Sequence, residues 1–94
     1  MLQATIIYDN TKDRELMSLI DIKFPIFVNY VDMNTTEGRK SGFNLLNYWS
    51  AKKLPFVILD DLEKKDSLPK VFYSEITNGV NQLIKFLNGN NSSN

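Results

Sequence analysis

Along the chain, Ala4 to Tyr8 opens with an unbroken apolar and β-branched run, Thr5, Ile6 and Ile7, the pattern of a strand covered on both faces. Such a strand belongs in the interior of a sheet. Asp9-Asn10-Thr11 then supply turn and capping side chains, and Leu16, Leu19 and Ile20 recur at helical spacing with Met17 beside them. This predicts a helix from about Lys12 to Ile22. Pro25 stops it, because proline and the residue before it resist the α conformation, and Ile26 to Val31 reads as a second strand. Strand, helix, strand is the crossover unit of a parallel pair.

Beyond Asp32 the segment Asn34 to Lys40 is polar and reads as a connector. Gly42, Leu45, Leu46 and Trp49 then fall on one helical stripe, flanked by Phe43 and Tyr48. Lys52-Lys53 are expected to close this helix at the negative end of its dipole. Leu54-Pro55 lead into a short apolar strand, Phe56 to Leu59. The polar stretch Asp60 to Pro69 forms a turn, and Val71 to Tyr73 a fourth strand, so the last two strands make a hairpin. Ile76, Val80, Leu83, Ile84 and Leu87 mark a third helix, from about Thr77 to Asn88. The expected order is βαβαββα in a single α/β domain over residues 1–88. The tail 89–94, Gly89-Asn90-Asn91-Ser92-Ser93-Asn94, has nothing to bury and is expected to be disordered.

Composition narrows the function more than the fold. Ninety-four residues support one core. Eleven basic and eleven acidic residues cancel, so no global field gathers nucleic acid or an anionic membrane. No stretch approaches the length of a membrane span, of about eighteen apolar residues, and the start of the chain lacks a signal-peptide pattern; a cytoplasmic protein is expected. The chain has neither cysteine nor histidine. That removes disulfides, thiol nucleophiles, imidazole bases and zinc sites built on sulfur or nitrogen, and leaves no recognisable catalytic residue, so no enzyme activity and no cofactor are expected.

Three local patterns carry a family resemblance: Ile6-Ile7-Tyr8 leading into a polar loop and helix, Tyr30-Val31-Asp32 ending the second strand, and Lys53-Leu54-Pro55-Phe56-Val57 opening the third. In this order, the chain resembles the thioredoxin and glutaredoxin superfamily over nearly its whole length, in the minimal glutaredoxin-like form. The resemblance implies a four-stranded mixed sheet in the order 2-1-3-4 with three helices. It also implies a cis peptide bond at Leu54-Pro55, facing the loop after the first strand, so that Tyr8, Asp9, Asn10, Thr11, Leu54 and Pro55 border a groove for a peptide or glutathione. The family's cysteines belong in Asp9 to Arg14, where none stands, so thiol–disulfide exchange is ruled out. The glycine pair that glutaredoxins place after the fourth strand is replaced by Ser74-Glu75-Ile76-Thr77-Asn78. What the resemblance leaves is a redox-inactive thioredoxin-like module for protein–protein contact. The alternatives are a glutathione- or peptide-binding protein and a thiol-independent enzyme using the same groove. The wealth of Asn, Lys and Ile fits an AT-rich genome, and a pared-down thioredoxin relative suits a phage or other virus, as an accessory or virion protein in the host cytoplasm or the virion.

Other candidates favour plainer roles. Asp9, Asp13, Asp60 and Asp61 carry the oxygen ligands a hard cation takes, but they sit where a helix start or a solvated turn favours acids, and no metal is expected. Arg39-Lys40, Lys52-Lys53 and Lys64-Lys65 with Phe72 and Tyr73 offer the parts of a nucleic-acid surface, which the zero net charge argues against. Tyr48 and Trp49 read as helix packing. The second strand is different: with the sheet order implied, Ile26 to Val31 is an edge that carries no charge and no proline. An unguarded edge invites pairing, so a protein partner or a second copy is expected there, with Phe27, Asn29 and Tyr30 near the contact.

Overall fold

The computed structural model describes residues 2–12, 24–64, 66, 68–72 and 79–92. Four strands, β1 (Leu2–Tyr8), β2 (Phe27–Asp32), β3 (Phe56–Asp61) and β4 (Lys70–Phe72), form one mixed sheet in the order β2-β1-β3-β4. β1 pairs parallel with β2, from Gln3 opposite Phe27 to Tyr8 opposite Asp32, and antiparallel with β3, from Leu2 opposite Asp61 to Ile7 opposite Phe56. β4 adds antiparallel to β3, with Val57 opposite Phe72. Among the described residues there are two helices, α1 (Thr36–Trp49) and α2 (Gly79–Ser92). The helix expected over Lys12 to Ile22 lies outside the described residues, apart from Lys12 in a turn.

The alternation of side chains along the strands sorts the core into two layers. On one face Ala4 and Ile6 of β1, Val57 and Leu59 of β3 and Phe72 of β4 pack with Val80, Leu83 and Leu87 of α2. On the other, Ile7, Phe56 and Ile58 meet Leu45, Leu46 and Trp49 of α1. The continuous apolar run in β1 is thereby explained: Ile6 and Ile7 point to opposite faces and both are fully buried. Burying side chains of this size stabilises the fold by about 1.5–3 kcal/mol each. Leu87 is the last buried residue among the described side chains of α2, and the helix runs on to Ser92.

Several boundaries differ from the sequence expectation. α1 begins inside the segment expected to be a polar connector, because Thr35 caps it: the Gly38 N–H donates to Thr35 Oγ1 at 3.0 Å, and Glu37 lies in the first turn. α1 ends at Trp49, with no basic residue in its last turn, so Lys52-Lys53 do not close it. Ser50 takes φ 55° and ψ 36° there, while Ser50 N–H donates to Asn47 O at 3.2 Å and Ala51 N–H to Leu46 O at 2.9 Å. That is a Schellman end built without glycine. Asp60 and Asp61 belong to β3 rather than to the turn. Phe72 is buried, which removes it as a stacking surface. The Leu54-Pro55 peptide bond is cis.

Candidate functional site

The sheet places three surfaces that bear on function: the loops at the C-terminal ends of the parallel pair, the cleft beside Leu54, and the outer edge of β2.

The two loops after β1 and β2 are tied by an Asp32-centred network. Asn10 donates from Nδ2 to Asp32 Oδ2 at 2.7 Å, and Asn34 from its backbone N–H to Asp32 Oδ1 at 2.9 Å. Asn34 Nδ2 in turn donates to Asn10 Oδ1 at 3.2 Å. Asp32 also anchors α1, since its carbonyl accepts from Thr35 Oγ1 at 2.9 Å and Thr35 N–H at 3.1 Å. Asn10 thus latches the loops together, a role its place in the sequence did not reveal. An acid or amide just past a strand end commonly bonds the backbone two residues on, and Asp32 with Asn34 has that spacing. Beside this network Tyr8 meets Tyr30 edge-on, with ring centroids 6.5 Å apart. Burial raises the Tyr8 hydroxyl above its usual range, with the Asp32 charge adding to the effect, and burial alone raises Tyr30.

Asp9 faces the other way. Its carboxylate accepts from Thr11 Oγ1 at 2.6 Å and Thr11 N–H at 2.9 Å, and these bonds hold it below the usual carboxylate range. Asp9 and Leu54 line one cleft of 410 Å³ together with Lys12, Lys52 and Lys53. The expected groove is thus only partly assembled: Asp9 and Leu54 share it, Asn10 and Thr11 are engaged in loop bonds, and Tyr8 stands against Tyr30. Pro55 is buried, and a Cβ on Gly79 would lie 2.8 Å from the Pro55 carbonyl. Sequence reasoning placed Lys52-Lys53 at a helix end and weighed them with Arg39-Lys40 and Lys64-Lys65 as a basic patch, and so missed their grouping with Lys12 at this cleft. Only the tertiary approach of Lys12 to the Lys52-Leu54 segment reveals it.

The acids do not gather into a cation site. Asp9 follows the last residue of β1, whereas Asp60 and Asp61 pair with Gln3 and Leu2 at its other end, a separation of about 20 Å for six strand residues. Asp13 lies outside the described residues. Among the described residues no group of three or more His, Cys, Asp or Glu could hold a metal, and no helix is long and apolar enough to cross a membrane.

β2 forms one edge of the sheet, and Phe27, Asn29 and Tyr30 are all exposed on it, Phe27 by 61% and Tyr30 by 42%. By register Phe27 and Asn29 share the α1 face with Gln3 and Thr5, and Tyr30 shares the α2 face with Ile6. No protein-family model, curated protein or solved structure matches this chain.

Proposed function

We propose that this chain is a redox-inactive, thioredoxin-like binding module that acts through protein–protein contact at the outer edge of β2. The observation that carries this reading is an unguarded edge strand. β2 is six residues long, with two exposed aromatic rings and no charge before Asp32. The opposite edge opens with Lys70 directly after Pro69, a charge and a proline that discourage pairing. A strand from another protein or from a second copy satisfies the free backbone groups of β2 and covers Phe27 and Tyr30. The thioredoxin-like assignment is supported by the β2-β1-β3-β4 order, the parallel β1–β2 pair, the antiparallel β3 and β4, and helices on opposite faces. The composition supports a phage or virion setting. Because thiol exchange requires a thiolate, an insulin-reduction assay is expected to read background, and turnover above it would refute the redox-inactive part of the reading. The edge itself is tested by sedimentation of the wild-type chain against Phe27→Lys and Asn29→Pro: association weakened by both substitutions supports the reading.

The cleft lined by Asp9, Lys12, Lys52, Lys53 and Leu54 favours a second reading, binding of glutathione or an acidic peptide. Three ammonium groups against one carboxylate already bonded to Thr11 favour an anionic ligand. Glutathione titration followed by amide shifts is expected to move residues 9–12 and 52–54 if this reading holds, and an unchanged spectrum would refute it.

A further inference from the structure

A third surface lies at the other end of β1, away from the lysine-lined cleft and one strand in from the β2 edge. α1 covers its face of the sheet incompletely. Gly42 is the only buried residue of the helix, and Leu45, Leu46 and Trp49 are half-buried. Between the C-terminal half of α1 and the sheet is a cleft of 380 Å³, bordered by Tyr48 and Trp49 above and by Gln3, Thr5 and Asp60 below. This is near the lower end of the range for ligand pockets, about 300–1,000 Å³, and suits an inserted side chain.

Its chemistry is specific. The two rings meet edge-on with centroids 5.0 Å apart, and Tyr48 is 76% exposed. Asp60 is half-buried and pairs with Gln3 in the ladder, while its carboxylate has, among the described residues, no hydrogen-bond or ion-pair partner. Among the described residues no basic one lines the cleft. Lys70 of the neighbouring strand pairs with Leu59 on the opposite face, where its Nζ sits 4.7 Å from the Phe86 ring centroid. An acid with no counter-charge among the described residues, beside two aromatic rings, favours a flat cation, which can stack on a ring while its edge donates to the carboxylate. Gln3 and Thr5 add amide and hydroxyl groups at the floor. Phe27, opposite Gln3 on the same face, extends the apolar rim towards β2.

We propose that this cleft receives an arginine side chain presented by a protein partner, with the guanidinium paired to Asp60 and packed against Tyr48 and Trp49. The proposal does not depend on pairing at the β2 edge. Trp49 is the single tryptophan of the chain, so its fluorescence reports on this site directly. The test titrates a capped tripeptide with a central arginine, and its neutral citrulline counterpart, into the full chain, followed by Trp49 emission and by amide shifts of Gln3, Thr5 and Asp60. Saturable arginine binding in the millimolar range is expected, with the citrulline peptide at least about fivefold weaker. Asp60→Asn should abolish the difference between the peptides. Tyr48→Ala, at an exposed position that the fold does not need, should weaken the arginine peptide. Equal affinity for both peptides, indifference to Asp60→Asn, or no saturable change at Trp49 would overturn the proposal.

Discussion

Ser50 carries the left-handed conformation that ends α1 with a side chain that disfavours it. A non-glycine residue there costs about 1–2 kcal/mol, part of which glycine would return as extra freedom in the unfolded chain. Ser50→Gly is therefore expected to stabilise the fold by about 0.5 kcal/mol, seen as a higher urea midpoint with unchanged slope. Ionisation at single residues shapes the pH response. Asp9 is held low by Thr11 and Asp61 by the Glu63 N–H, so their contribution is present above the ordinary value of 3.8 and is lost as pH falls through their lowered values. Tyr8 and Tyr30 are raised, so theirs is whole below the ordinary value of 10.0 and is lost as pH rises through the raised values. With no histidine to titrate between, the urea midpoint should be nearly level from about pH 5 to 7, below the range of the α-amino group; a marked slope in that window would contradict this. Asp32→Asn should lower the Tyr8 value in an ultraviolet titration, without restoring the ordinary one, since burial is the larger cause. At this scale the sequence was least legible. Asp9 as a turn residue could be read from its neighbours, but Asn10 reaching Asp32 depends on contact across 22 positions.

α1 shows what element-level pattern can and cannot carry. Its apolar stripe was legible from Gly42 to Trp49, yet its first turns looked like a connector because they contain no apolar residue. What holds them is the Thr35 cap and a close approach to β2, made through two glycines four residues apart. A Cβ at Gly38 would collide with the Asp32 backbone carbonyl, whereas one at Gly42 would meet chiefly the flexible end of Met33. Gly38→Ala is therefore expected to destabilise by about 1–2 kcal/mol, since strain outweighs the roughly 1 kcal/mol of helix propensity gained. Gly42→Ala should lie close to neutral, because the Met33 thioether can move aside. Equal effects in chemical denaturation would contradict this account of the α1–β2 contact. α2 is held differently, by Val80, Leu83 and Leu87 in the main core. Leu83→Ala should cost about 2–5 kcal/mol by leaving a cavity in a fully closed layer.

For the whole molecule, the strand sequence and central position of β1 were legible because an apolar run with no polar face has only one place in a sheet. The pairing of faces followed from period-two alternation. The surfaces were less so: the two clefts are assembled from residues far apart in the chain, such as Asp9 with Leu54 or Gln3 with Tyr48. The β2 edge is the exception, since its lack of charge and proline could be read directly and its place in the sheet agrees. Sedimentation across a range of concentrations is the most direct test of β2 as a pairing edge. The wild-type chain is expected to associate reversibly, and Phe27→Lys, at a position 61% exposed and so harmless to the core, is expected to shift it to monomer, as is Asn29→Pro. A wild-type chain that stays monomeric at every concentration, or association that Phe27→Lys leaves unchanged, would contradict pairing of two copies through this edge.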